Sequence, residues 1–337
     1  MSATGVMREP EGLLPNSLAL GYAVTAQLLG LFLITRGQLV AILPGILLTT
    51  HSMVIAAYLI HECAHMNLFR ARAMNRWSGE LMAWVAGAAY TSFGRIRHFH
   101  IRHHRDRADV ARFDYKVFLL NRPRWVRKLV YGLEWAYVPV IELIMHAQVL
   151  VRPFTDVALK GERLRVLLVL GSRAALFLVL FSLQPWALLW FALAYLLFIT
   201  VLNFGDAFHH TYDQLFVTDD NEPVPMDGKD RAYEQSHTYS NLVSPAHPWL
   251  NLLTLNFGYH NAHHERASVP WYRLPALHRE LFAGEDRQLL PYRQLWRTYH
   301  HNRLARILDE DYGAVGEGKG RADGFVGAHG VSFLTVA

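Results

Sequence analysis

Two long stretches without a charged side chain, separated by a two-residue turn, constrain this chain more than anything else in it. Residues 17–35, SLALGYAVTAQLLGLFLIT, are followed by Arg36 and Gly37 and then by a second uncharged run from Gln38 to Ile60. At 1.5 Å per residue, each can cross the roughly 30 Å hydrocarbon core of a bilayer as a helix. A second pair lies downstream: 166–183, interrupted only by Arg173, and 186–204, joined through Gln184 and Pro185. The short connections predict two helical hairpins, hence four spans. A hydrophobic content of 52% agrees with a bilayer environment.

Topology follows from the hairpins. The N-terminus, residues 61–163 and everything after 205 must share one side, and that side carries nearly all the Lys and Arg. The opposite side offers only Arg36 in one turn and Gln184-Pro185 in the other. Positive-inside bias therefore puts the polar bulk, both termini included, in the cytoplasm, at the inner membrane if the source is bacterial. The net charge of +5 is read as this topology signal, and no nucleic-acid partner is expected. The start, MSATGVMREPEGLLPN, lacks a basic n-region and a cleavage site, so no cleavable signal peptide is expected.

The expected fold class is thus all-α: an integral membrane protein with two transmembrane hairpins and a cytoplasmic helical cap. One domain is expected over 1–312, with a flexible glycine-rich tail over 313–337. The apolar piece 81–93 is too short to span and reads as a re-entrant, interfacial or buried helix. Residues 129–151 carry Glu134, Glu142 and His146, so that stretch is expected to lie against membrane or protein rather than cross.

The chemistry is concentrated in histidine. In HECAH, His61 and His65 follow the second run at i,i+4 spacing, which puts both imidazoles on one helix face. In HFHIRHH, residues 98–104, His100 shares a face with His103 and His104, whereas His98 points elsewhere and is left out. HNAHH repeats the spacing with His260, His263 and His264, and NFGDAFHHT places His209 and His210 just past the fourth run. A lone His51, His146 or His278 is read as a hydrogen-bonded structural residue. Clustered imidazoles are different: protonated they repel, and neutral and dry they waste hydrogen-bonding capacity, so a bound cation is the simplest explanation. Cys63 is the only cysteine, which excludes a disulfide within the chain and a four-thiolate cluster. Imidazole suits Zn, Cu, Fe and Ni, so the ligand type alone does not choose the metal.

Three boxes in the order HxxxH, HxxHH, HxxHH, with one pair of spans before the first box and another between the second and third, resemble the integral-membrane fatty acid desaturase and hydroxylase family over roughly residues 38–280. That resemblance implies a non-haem centre of two iron ions using O2. It implies as ligands His61 and His65 from box one, His100, His103 and His104 from box two, and His260, His263 and His264 from box three. Family members commonly carry a further histidine after the fourth span in a QHT-like context. FHHT matches this with His210, while His209 falls on the glutamine position.

The resemblance further implies a fatty acid or fatty acyl substrate, membrane lipid around the spans, and electrons from a separate donor of ferredoxin, rubredoxin or cytochrome b5 type. HPW at 247–249 is not the HPGG of a fused cytochrome b5. Arg95, Arg97, Arg102, Arg105 and Arg107 are expected to pair with an acidic donor or with lipid phosphate. Candidates for orienting metal-bound imidazoles are Glu62, Asp106, Asp206 and Glu265, with Asp109 and Asp114 behind them. The leading expectation is a desaturase; oxidative decarboxylation to terminal alkenes and hydroxylation are alternatives on the same scaffold. A zinc hydrolase would fit HECAH as HExxH but needs only one further ligand. A metal transporter would place polar ligands near mid-span, where these runs have almost none.

Overall fold

The computed structural model describes residues 5–217, 219–284, 287–329 and 334. In chain order its elements are α1 (Leu13–Ile34), α2 (Leu39–Ala64), α3 (Arg72–Ala86), α4 (Phe93–Asp106), β1 (Asp109–Ala111), α5 (Tyr115–Leu120), α6 (Arg124–Trp135), α7 (Val140–Thr155), α8 (Arg163–Leu183), α9 (Ala187–Asp206), β2 (Gln214–Phe216), α10 (Arg231–Ser236), β3 (Ser240–Leu242), α11 (His260–Glu265), α12 (Leu274–Leu281), β4 (Leu289–Pro291), α13 (Tyr292–His301) and α14 (Ala305–Leu308). They form two compact units. One is built from the segments up to Arg97 and from His146–Val201, the other from His98–Met145 and from Leu202 onward.

Among the described residues four helices are long and apolar enough to cross a membrane: Pro10–Ile34, Leu39–Ala64, Val157–Leu183 and Ala187–Asp206. They cover the four predicted runs to within one residue at an end. In the first unit α1 and α2 approach backbone to backbone. A Cβ on Gly30 would stand 2.8 Å from the Thr49 nitrogen and 2.9 Å from the Gly45 carbonyl, so the crossing exists only because glycine occupies both positions. Ala23, Ala26, Thr49 and Ser52 fill the seam, while Leu28, Phe32, Leu43 and Leu47 remain exposed on the outer faces, where lipid would cover them. The Thr50 hydroxyl donates to the Ala194 carbonyl at 3.0 Å and ties α2 to α9. Arg173, the one charge in the third run, donates to the Trp84 carbonyl and lies over that ring.

Two apolar pieces are divided more finely than their composition suggests. Residues 81–93 are no single helix: α3 ends where Gly87 takes φ +82° and returns its N–H to the Ala83 carbonyl, and α4 starts at Phe93. Residues 129–151 break between α6 and α7 around Pro139, and the Glu134 carboxylate accepts from the Ile141 N–H at 2.7 Å to start the second helix.

The second unit corrects the all-α expectation in a small way. It contains two parallel strand pairs, β1 with β2 (Asp109 opposite Gln214) and β3 with β4 (Ser240 opposite Leu289). Too short to show as alternating runs, they fasten loops to one another.

Within the glycine-rich tail the described residues make specific contacts. Gly313 pairs antiparallel with Phe325, the Ala328 N–H donates to the Ala207 carbonyl at 2.8 Å, and Phe325 and Ala322 are fully buried in an aromatic cluster with Phe204, Phe208 and Tyr299. Here glycine permits tight turns, with φ +69° at Gly313 and +75° at Gly327, and does not signal looseness. Residues 330–333 and 335–337 lie outside the described ones. Phe325→Ala should lower stability by about 3–5 kcal/mol, read as a drop in the thermal unfolding midpoint in detergent. No change would mean that the segment is loose after all.

Candidate metal centre

In the second unit the backbone carries two HxxHH boxes into one place. After box two the chain enters β1, and β2 follows directly on His209 and His210, so the β1–β2 pairing draws these segments together. A bridge between His210 and Thr238, with the Tyr239 N–H donating to the His209 carbonyl at 2.8 Å, adds the 237–239 segment. Asn261 then fixes the start of α11: its amide donates to the Thr238 carbonyl at 2.6 Å and its backbone N–H to the Ser240 hydroxyl at 3.2 Å. Gly258 is required just before, because a Cβ there would collide with the Asn241 carbonyl.

The result is a knot of imidazoles. His103, His210, His260 and His264 each offer a ring nitrogen, and these nitrogens all lie within 4.8 Å of one another. The His210 Nε2 faces the Nε2 of His103 at 3.1 Å and that of His260 at 2.7 Å. Beside them the Nε2 atoms of His263 and His104 stand 3.2 Å apart, and the His100 and His104 rings are 4.8 Å apart. His98 shares the helix but not the face, and its Nε2 meets the Asp220 carbonyl at 3.1 Å.

Carboxylates decide which nitrogen of each ring points inward. His103 Nδ1 lies 3.0 Å from Asp109 and His264 Nδ1 lies 3.0 Å from Glu234. An ionised carboxylate only accepts, so both Nδ1 atoms carry a proton, and the His264 ring, when neutral, presents its lone pair at Nε2. The Thr238 hydroxyl lies 3.3 Å from His210 Nδ1. His264 Nε2 is buried without a hydrogen-bond partner. Desolvation by burial, reinforced by the neighbouring histidines, holds the pKa values of His210, His260 and His264 well below the ordinary imidazole value and pushes His263 down to about 3. These rings are therefore neutral at physiological pH.

Neutral imidazoles whose lone pairs face one another lack donors for one another. Two nitrogens bound to one ion at roughly 2.1 Å stand roughly 3–3.4 Å apart, close to the 3.1 and 3.2 Å separations seen here. The donor set fits a transition-metal cation.

His61 and His65 belong to the first unit. Both lie at the end of α2, their ring centroids 4.8 Å apart as the i,i+4 spacing predicts, and His61 Nδ1 is 3.5 Å from Glu62. Asp206 is 3.8 Å from His209, not from a candidate ligand, and His209 is itself buried and stacked on His260 at 4.3 Å. Asp106 accepts from Arg102 and Arg105, and Glu265 pairs with Arg231. Burial alone would raise the Asp106 pKa, but hydrogen bonds from Arg105 and Arg102 hold it below the usual value. Asp114 caps α5 by accepting from the Val117 N–H.

Glu234 was missed. It lies in YEQSHTYSN with no motif to mark it, yet it bridges His264 to Arg107, whose Nε donates to it at 2.9 Å. The arginines expected on a docking face are partly spent inside the fold. Arg102 is 2% exposed and donates to Asp106 and to the carbonyls of Asp220 and Glu222.

A histidine-rich metal centre in a multi-pass membrane protein is the class that these features define. The sequence model of the fatty acid desaturase family matches residues 38–296, and the chain belongs to that family. A search of curated proteins finds no match. Membership makes the chain an oxidoreductase acting on fatty acids.

Glu234→Gln should weaken metal retention by roughly 10–100-fold, measured as metal content after dialysis against a graded chelator, while Glu265→Gln should leave it unchanged. Equal losses would remove the distinction between these two carboxylates. Acidification supplies a second check. An imidazole whose folded pKa is depressed gives its full support to the fold above the unfolded value of about 6.5 and loses it as pH falls, because the unfolded chain takes up the proton first. The metal-free protein should therefore melt at progressively lower temperature from pH 7 to pH 5. A flat profile over that window would show that these rings are not held neutral.

Proposed function

We propose that this protein is a membrane-bound, O2-dependent di-iron desaturase that introduces a double bond into a long fatty acyl chain. The observation that carries the reading is the set of inward-facing, uncharged imidazoles in a chain of the fatty acid desaturase family. In the proposed ligand set His103, His210, His260 and His264 hold one ion. His100, His104 and His263 serve the other, and His61 and His65 are carried as ligands from the family's first box. Zinc meets the ligand preference but cannot change oxidation state, so an oxidoreductase needs one of the redox metals, and the family resemblance selects iron among them.

When bound, the iron pair supplies activation of O2 with two electrons from outside. The overall change takes one hydrogen from each of two adjacent methylenes and consumes O2, two electrons and two protons, yielding an alkene and two waters. The chain's own residues fix tautomers and exclude water: Asp109 and Glu234 hold the Nδ1 protons of His103 and His264, and Arg107 neutralises Glu234. Cys63 is single and buried, so electrons come from a separate ferredoxin, rubredoxin or cytochrome b5 type donor. Both termini and the metal centre face the cytoplasm, by the charge bias across the spans.

Expression in a host lacking the activity, with labelled fatty acids and mass spectrometry of lipids and headspace, should reveal new internal alkenes that need O2 and a reductase system. Purified protein should carry two irons per chain, and His264→Ala should lose both iron and turnover. A volatile alkene one carbon shorter than the acid, or a hydroxylated product, would replace desaturation by the alternative outcomes. Activity that survives without O2 and reductant would overturn the oxidase reading altogether.

A further inference from the structure

Four arginines of the first unit meet around one cavity. It measures about 450 Å³ and is lined by Arg8, Met66, Phe69, Arg70, Arg72 and Arg97, within the roughly 300–1,000 Å³ of small-ligand clefts. Among the described residues no acidic side chain lines it. Its wall is built deliberately by the backbone. Met7 bridges antiparallel to Phe69, the Arg8 N–H donates to the Leu68 carbonyl at 3.0 Å, and the Arg70 N–H donates to the Val6 carbonyl at 3.1 Å.

Two of the guanidiniums are anchored rather than waving in solvent. Arg8 donates from one Nη to Asn67 Oδ1 at 2.7 Å and to the Met66 carbonyl at 3.3 Å, and Arg70 donates from Nε to the Met7 carbonyl at 3.1 Å. These partners of Arg8 and Arg70 are uncharged. Arg97 is half-buried, and its Nε is shielded from solvent without a hydrogen-bond partner. Fixed like charges around a concavity repel, and a buried N–H without a partner costs desolvation energy. Both costs disappear when a small, multiply accepting anion enters. Planar guanidiniums match the oxygens of phosphate in a forked geometry.

Position selects the source of that anion. Arg8 comes just before the span Pro10–Ile34 begins, and Arg70 and Arg72 come just after Leu39–Ala64 ends. The cavity therefore opens where two antiparallel spans leave the hydrocarbon, at the depth of lipid headgroups. Met66 and Phe69 give it an apolar side, suited to a phosphate that carries a glycerol backbone and acyl chains. A large acidic protein would be expected to meet a convex or flat basic face rather than a cleft.

We propose that Arg8, Arg70, Arg72 and Arg97 form a binding site for the phosphate of an anionic glycerophospholipid. The site holds the first hairpin at a defined depth. The proposal stands whatever the reaction outcome.

The test uses the full-length protein in an uncharged detergent, with short-chain dioctanoyl phosphatidylglycerol as probe and thermal stabilisation as readout. Dioctanoylglycerol, inorganic phosphate and polyglutamate serve as comparisons. Phosphatidylglycerol should stabilise in a saturable manner. Arg72→Gln, at an exposed position, should raise the half-saturating concentration about 10-fold, and Arg72→Gln with Arg97→Gln should raise it further, while Arg287→Gln leaves it unchanged. Helix content and the lipid-free melting temperature of the single variant verify folding. An unchanged half-saturating concentration in both variants would overturn the proposal. Equal stabilisation by dioctanoylglycerol would remove the phosphate from it, equal stabilisation by inorganic phosphate would remove the lipid, and equal stabilisation by polyglutamate would turn the cavity into a protein-docking site.

Discussion

The fold depends on what several buried imidazoles do with their lone pairs. A buried polar group without a partner costs roughly 1–3 kcal/mol, and a domain's whole stability is roughly 5–15 kcal/mol. His103, His210, His260 and His264 direct nitrogens at one another across a few ångströms. Protonation cannot relieve this, since burial and mutual repulsion depress the pKa values of His210, His260 and His264. A cation accepts every lone pair at once. The apparent misfit among neutral rings thus becomes affinity, and the carboxylates behind them make it directional by holding protons on the outer nitrogens.

Such a cluster needs backbone that cannot relax away from it. In the second unit that rigidity comes from small devices: two short strand pairs, the Asn261 side chain spanning Thr238 to α11, and the Phe325 segment packed beside Phe208 one residue before His209. The first unit is held differently. Water is not available to drive two lipid-facing helices together, so α1 and α2 rely on close backbone approach at Gly30 and Gly45. One chain therefore uses two packing principles, each suited to its solvent.

What the sequence reveals follows from the range over which its signals act. Helical spans and HxxHH faces are local, periodic patterns, so they are legible, and the i,i+3 and i,i+4 spacing places His100, His103 and His104 on one face without further information. Orienting carboxylates are not local. Asp106 looked suitable because it adjoins box two, but adjacent Arg102 and Arg105 claim it, whereas Glu234 reaches His264 from 30 residues away in sequence, from the short helix α10 that no motif marks. Composition misleads in the tail for a related reason. Glycine frequency suggests freedom, and it gives no sign that one aromatic residue, Phe325, packs into the cluster beside Phe208.

The same distinction bears on why ligand spacing does not fix the reaction. Helical repeats dictate where imidazoles stand, and any member with three boxes inherits that arrangement whether its product is an alkene or an alcohol. Both outcomes begin with removal of one hydrogen from a methylene. They diverge according to whether a second carbon–hydrogen bond or the first carbon itself lies nearer the oxidising centre, a matter of substrate placement over about an ångström. That placement is governed by side chains along the acyl path and by whatever holds the head of the substrate, features set by long-range packing. Changes in regiochemistry or product type should therefore arise from residues remote in sequence from all three boxes.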